Sequence, residues 1–215
     1  AEVLGLSYKN KKCGSFGDLS TFSFYANKQV TTGEGGMISV NSERLYKKCN
    51  SLKNLCFGKI NRFNHDDLGW NYRLTNIQAA LGLSQLKNIK NTIRKKMEIG
   101  NYYYEKLKFN NNIQILPPFN SFSKNIYWVV GILIKNKKMT ALNLSKKLLK
   151  SGIETRPFFW PMHQQSIFKK LKLFKNQNYP NSTYLSKYGL YVPSYFLLKK
   201  KEINKIRKII NKILI

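Results

Sequence analysis

No stretch of this chain restricts the fold as much as GSFGDLSTFSFYANKQVTTGEGG, from Gly14 to Gly36. The apolar run Thr21-Phe22-Ser23-Phe24 predicts a strand over about 20–25, bounded on its N-terminal side by Gly and Asp. A polar turn containing Lys28 follows. Gly33-Glu34-Gly35-Gly36 then supplies residues that take positive φ without a Cβ penalty. A second alternating run, Met37-Ile38-Ser39-Val40, predicts a strand over about 36–40. The pattern puts a lysine at the mouth of a strand with a glycine-rich turn behind it. Ser23 lies five residues before that lysine. Strand ends and the turns beside them are where α/β sheets meet small anionic ligands.

The rest of the chain alternates helical and strand patterns. A turn is expected at Lys9-Asn10-Lys11-Lys12, and Asn41 or Ser42 caps a helix over about 43–56. Thr75 with Gln78 forms a capping-box pattern. From there Leu86, Ile89, Ile93, Met97, Gly100, Tyr104 and Leu107 step by three and four, which predicts one long helix to about Phe109 with a break near Gly100 or the lysines before it. Pro117-Pro118 marks a boundary. Ile126–Ile134 reads as a buried strand, and Thr140 opens a helix that ends before Gly152. The proline-broken, aromatic run from Ile153 to His163 reads as a strand end turning into a loop. A short helix near 182–189, a strand at 190–193 and a last helix over about 199–213 close the chain. The three lysines at 199–201 oppose the dipole of that last helix.

Charge needs its own account. Lys+Arg number 38 against 10 Asp+Glu, a formal net charge of +28 over 215 residues. The first class this suggests is nucleic-acid binding. The reading goes against it, because the lysines are spread along the chain and no nucleic-acid motif is present. No window approaches the ~18 consecutive apolar residues of a membrane span, so the reading is also against a membrane partner. Cys13, Cys49 and Cys56 match no metal or disulfide spacing, and there are only 2 histidines. Free thiols in a reducing cytoplasm and no metal site are expected.

The Gly14–Gly36 string as a whole resembles the DegT/DnrJ/EryC1/StrS family of pyridoxal-phosphate-dependent sugar aminotransferases. The family pattern is close to G-x-x-G-D-x-x-x-F-S-F-x-x-x-K followed by a G-E-G-G turn. Gly14, Gly17, Asp18, Phe22, Ser23, Phe24, Lys28 and Gly33 to Gly36 occupy it here. The resemblance implies an α/β protein of the type I aminotransferase fold. Residues 1–109 would be the C-terminal part of the large cofactor-binding domain, and 110–215 the small C-terminal α/β domain. It implies that Lys28 carries pyridoxal 5'-phosphate as a Schiff base and then shuttles the proton between substrate and cofactor. It gives Ser23 to the cofactor phosphate, and Asn71, in Gly69-Trp70-Asn71-Tyr72-Arg73, to the phosphate in the other subunit of a homodimer. The matching T-R-P-x-x-x-P-x-H segment (Thr155, Arg156, His163) and the stretch around His65 would approach the nucleotide-sugar.

Within the family, YANKQVTTGEGGM, GWNYRLTNIQAALGLSQL and IETRPFFWPMH look most like the branch that moves the amino group of L-glutamate to C4 of GDP-4-keto-6-deoxymannose for surface polysaccharide synthesis. Other 3- or 4-keto nucleotide-sugars are the near alternative. The resemblance also implies that a pyridine-pairing Asp and a domain-sized piece precede Ala1. Two function classes therefore stand open: the enzyme, whole or as a fragment, and a non-catalytic remnant or basic binding protein.

Overall fold

The computed structural model describes residues 1–61 and 63–214, and they form two compact units. The first comprises Ala1–Ile93 with Ser121–Lys124, the second Arg94–Asn120 with Asn125–Ile215.

The first unit opens with a small hairpin, β1 (Ser7–Tyr8) and β2 (Lys11–Lys12). Its turn residues Lys9 and Asn10 both take positive φ, 45° and 62°, as a two-residue hairpin turn requires. Next come β3 (Leu19–Ser23) and β4 (Gly36–Val40), an antiparallel pair in which Thr21 faces Ile38 and Ser23 faces Gly36. Helix α1 spans Glu43–Lys53. Ser42 occupies its N-cap position, but its hydroxyl makes no capping bond there. Helix α2 (Asn76–Leu86) starts on the expected capping box: Thr75 Oγ1 accepts from Gln78 N–H at 3.2 Å, and Gln78 Oε1 accepts from Thr75 N–H at 3.0 Å.

The long helix breaks at Lys87-Asn88, and α3 runs unbroken over Ile89–Leu107. Gly100 is therefore an interior position of α3. A Cβ there would sit 2.2 Å from Tyr127 Cγ, so this glycine exists to let the ring lie against the helix.

The second unit holds a four-stranded antiparallel sheet of β5 (Ile113–Ile115), β6 (Val130–Ile134), β7 (Arg156–Pro157) and β8 (Gly189–Val192) in the order β5-β6-β8-β7. The expected strand over 126–134 is shorter than predicted. Tyr127 takes φ 47° and its N–H bonds Asn125 Oδ1 at 2.9 Å, which turns the chain before β6 begins. Helices α4 (Ala141–Leu149), α5 (Ser166–Lys170), α6 (Pro180–Tyr188) and α7 (Lys200–Ile213) complete the unit. Its core joins Val130, Ile132, Ile134 and Leu190 of the sheet to Leu144 and Leu148 of α4, Ile203, Ile206 and Ile210 of α7, and Tyr103 and Leu107 of α3. The lysine-rich start of α7 is offset by Glu202, whose carboxylate accepts from Lys199 N–H at 2.8 Å. That bond, then the Tyr195 hydroxyl, holds the carboxyl below its ordinary range.

Lys96, on α3, is half-buried. Its ammonium donates to Ser194 O at 2.6 Å, and burial pulls its pKa down to about 8. Tyr103 Oη donates to Pro193 O at 2.9 Å, and burial pushes the phenol well up.

Two outcomes follow. In Gly100→Ala the propensity gain of up to ~1 kcal/mol is outweighed by the clash with Tyr127, so the urea midpoint falls by an amount worth about 1–3 kcal/mol. Lys96 binds its proton less tightly folded than at the ordinary 10.5, so the unfolded chain holds more protons between those values and stability rises with pH there. The rise is about 1–2 kcal/mol from pH ~8 to pH ~10, above which unfolded tyrosines ionise and reverse it. Urea titrations of Lys96→Gln across that window will show no such rise.

Candidate active site

Lys28 is placed by the loop that joins β3 to β4. Phe24 N–H donates to Gly35 O at 2.9 Å, and the Phe24 carbonyl accepts from Thr32 N–H at 2.9 Å and Thr31 Oγ1 at 3.1 Å. The loop is closed on itself, with Lys28 N–H bonded to Tyr25 O at 3.0 Å in the turn. Gly35 has φ 142°, and a Cβ there would meet Thr32 Oγ1 at 2.6 Å, so the position admits glycine only. Helix α2 clamps the far side. Gln85 Oε1 accepts from Thr31 N–H at 3.1 Å while its Nε2 donates to Thr31 O at 2.7 Å, and Gln78 Nε2 donates to Glu34 O at 3.1 Å.

The lysine side chain is only 9% exposed, and its ammonium donates to Glu2 Oε1 at 2.9 Å. Burying an ammonium is costly unless a charge and hydrogen-bonding partner go with it. Glu2, 45% exposed on its side chain, is that partner. Beside it Gln29 is buried, its Nε2 reaching toward Glu2 O at 3.4 Å and its Oε1 left without a protein donor among the described residues. Ser23 Oγ accepts from Tyr25 N–H at 3.3 Å, a bond that does not use its own proton. Its hydroxyl can still donate to an anion.

Asn71 is exposed, and its Oδ1 accepts from Arg73 Nε at 2.8 Å. His65 Nδ1 donates to Leu55 O at 2.6 Å, and its ring lies 5.0 Å from that of Phe57. These contacts give both residues local structural work in the first unit.

In the second unit, Arg156 is exposed on β7 and faces Glu154 at 3.5 Å. Thr155 donates its hydroxyl to Ser145 Oγ at 2.9 Å, which ties the residue before β7 to α4. His163 begins no regular helix; it sits in a 3-10 turn, Met162–Gln164. Its Nε2 meets Thr183 Oγ1 at 3.2 Å, and its ring lies 4.9 Å from Tyr179.

The sequence reasoning missed Glu2, Gln78 and Gln85 as site residues. Only the spacing of Gln78 and Gln85 on one side of α2 could have pointed to them. Glu2 is 26 residues from Lys28 and carries no local signal. Among the described residues no group of three or more His, Cys, Asp or Glu could hold a metal ion, and no helix is long and apolar enough to cross a membrane.

A buried amine at a strand end, a carboxylate against it and a hydroxyl with a spare proton suit a carbonyl-bearing phosphate cofactor. The comparisons give the same class. The profile of the DegT/DnrJ/EryC1/StrS aminotransferase family matches residues 1–211, and the chain belongs to that family. It is 37% identical over 214 residues to the GDP-perosamine synthase of Escherichia coli O157:H7, covering 98% of this chain and 56% of that protein. It is 35% identical over 196 residues to the Vibrio cholerae GDP-perosamine synthase, covering 91% and 52%. Among solved structures, Helicobacter pylori PseC, an aminotransferase involved in the biosynthesis of pseudoaminic acid, superposes with a TM-score of 0.90 at 28% identity, over 100% of this chain and 58% of that one. The chain thus spans about half the length of the relatives it matches.

The Lys28–Glu2 pair is testable without cofactor. In a double-mutant cycle with Lys28→Met and Glu2→Gln, each single change costs about 1–2 kcal/mol in urea unfolding and the double change costs less than their sum, by a coupling of about 1 kcal/mol. A coupling within ~0.3 kcal/mol of zero rules the pair out.

Proposed function

We propose that this chain provides the lysine-bearing part of a pyridoxal-phosphate-dependent sugar aminotransferase. The enzyme takes the amino group of L-glutamate to a keto nucleotide-sugar, GDP-4-keto-6-deoxymannose first among the candidates. The observation that carries this reading is the buried Lys28 amine paired with Glu2 inside a loop closed by Gly33–Gly36. The preference for a GDP-sugar rests on GDP-perosamine synthases at 35–37% identity. The UDP-sugar transaminase of Campylobacter jejuni at 34% keeps the UDP-sugar alternative in view.

Bound pyridoxal phosphate supplies a reactive carbonyl and a ring that withdraws electrons from the carbon beside the amino group. Lys28 would hold that carbonyl through its amine, and Glu2 Oε1, 2.9 Å away, fixes where the amine stands. The same amine would carry the proton at the reacting carbon. Ser23 donates to a phosphate oxygen. Asn71 serves the cofactor phosphate of a second copy, which makes the working unit a homodimer. Arg156 suits the diphosphate of the nucleotide-sugar, and His163 and His65 its remaining oxygens. Residues 1–109 act as the C-terminal part of the large cofactor-binding domain and 110–215 as the small C-terminal domain. The enzyme has a cytoplasmic site of action.

The first unit also bears on how much chain the activity needs. The β3–β4 pair exposes Leu19, Ile38 and Met37, at 44%, 49% and 52%. A two-stranded sheet with apolar residues open on both faces is marginal by itself. Further chain, of the kind that the relatives carry in the half not matched here, would cover this sheet and complete the cofactor site.

The deciding experiment treats the 215-residue chain, and a fusion of it to the unmatched portion of the E. coli relative, with pyridoxal phosphate and borohydride. Peptide mass spectrometry of the fusion will find the reduced adduct at Lys28 in preference to all other lysines, with loss of that adduct in Lys28→Ala. An adduct spread evenly over surface lysines in the fusion overturns the aminotransferase reading and leaves the non-catalytic remnant or basic binding protein.

A further inference from the structure

Between Glu105 and Glu154 the chain holds no acidic residue. Within that interval six lysines, Lys135, Lys137, Lys138, Lys146, Lys147 and Lys150, gather on α4 and the loop before it, and all six are exposed. None meets a carboxylate among the described residues. Four of them, with Met139 and Asn143, line an open cleft of about 390 Å³.

The helix geometry sorts this face. At about 100° per residue, Leu142 and Leu149 fall within about 20° of one another. Lys146, Lys150, Asn143 and Lys147 continue over roughly the next 140°, and the buried Ala141, Leu144 and Leu148 lie opposite. The two leucines are 58% and 61% exposed. The outward side of α4 is therefore a lysine field with an apolar flank.

We propose that this face of α4 docks on an anionic lipid bilayer. Clustered ammonium groups with no counter-charge repel one another, and a surface of lipid phosphates relieves that repulsion. The leucines decide between polyanions. Two adjacent exposed leucines gain from entering the boundary between headgroups and acyl chains, and gain nothing against a sugar-phosphate backbone. Among the described residues the cleft is lined by no aromatic side chain and no arginine, the groups on which single-stranded nucleic acid stacks and with which duplex bases are read. The contact is peripheral and requires no membrane-spanning helix. It is independent of the chemistry assigned to Lys28.

Co-sedimentation of the 215-residue chain with large vesicles tests the proposal. The vesicles are phosphatidylcholine alone, or phosphatidylcholine with roughly a quarter phosphatidylglycerol, at ~0.15 M salt. The chain will partition onto the anionic vesicles only. Lys146→Glu, Lys147→Glu and Lys150→Glu together will lower the partition coefficient by on the order of 100-fold. Leu142→Ser with Leu149→Ser will lower it about 10-fold. The same charge reversal on α7, at the exposed Lys205, Lys208 and Lys212, will change it less than ~3-fold. All substituted residues are exposed, and circular dichroism will confirm each variant is folded. No partition onto anionic vesicles overturns the proposal. So does an equal loss in the α7 variant, which would assign the effect to net charge. Binding to random duplex DNA with the same lysine dependence and none on the leucines also overturns it, in favour of nucleic acid.

Discussion

The ion pair between Lys28 and Glu2 depends on a loop that cannot relax. Ammonium and carboxylate groups lose hydration when brought together under cover, and the gain repays that loss only where the geometry is fixed. Here it is fixed twice. The Phe24 carbonyl takes two donors from Thr31 and Thr32, so strand β3 ends in a closed ring of backbone bonds. Gln85 then holds Thr31 by both its N–H and its carbonyl. A side-chain amide that donates and accepts on one residue acts like a strand neighbour, and it does so from a helix. The glycines at 33 and 35 allow the chain to return within that frame, with φ of 78° and 142°.

Much of this was legible in the sequence, because its causes are local. The β3 and β4 alternation, the Thr75–Gln78 box and the Thr140 cap, which accepts from Asn143 N–H at 3.2 Å, all act over a few residues. Misreadings arose where a distant group decides. Gly100 looked like a helix break because glycine has low helix propensity. Its real determinant is the Tyr127 ring, which the chain brings back from 27 positions later against the bare side of α3. The same tyrosine shortened the strand predicted over 126–134, since its positive φ serves the approach to α3. Glu2 was invisible for the same reason. Of the assigned site residues, Ser23 ends β3 and Lys28 lies in the loop that follows it, whereas the contacts of His65 and Asn71 are explained by their own neighbourhoods, Leu55 with Phe57 and Arg73.

Scarcity of acid gives the remaining carboxylates unusual weight. With 10 Asp+Glu against 38 Lys+Arg, most cations can have no partner, so the positions of the pairs are informative. Glu202 accepts from Lys199 N–H and from the Tyr195 hydroxyl, and it compensates a helix start that three lysines would otherwise oppose. Asp67 meets Lys48 at 2.6 Å and tethers the loop after α1. Glu2 meets the one lysine whose neighbouring turn matches the family pattern. Charge alone thus predicts little about any given lysine, and the carboxylate opposite it predicts more.

Missing carboxylates are as informative as present ones. A surface lysine near an acid is neutralised locally and leaves little field a Debye length away. Among the described residues the lysines of α4 form no ion pair, and their helix contributes no acidic first turn. Lys146 and Lys147 sit in the last turn, where the helix dipole favours positive charge, so the fold tolerates them without an internal partner. Leu142 and Leu149 remain unburied although the helix has a full apolar face against the core. Folding of the unit therefore does not require either the lysines or the two leucines to be where they are. A face that the fold permits but does not need is open to a role outside the fold.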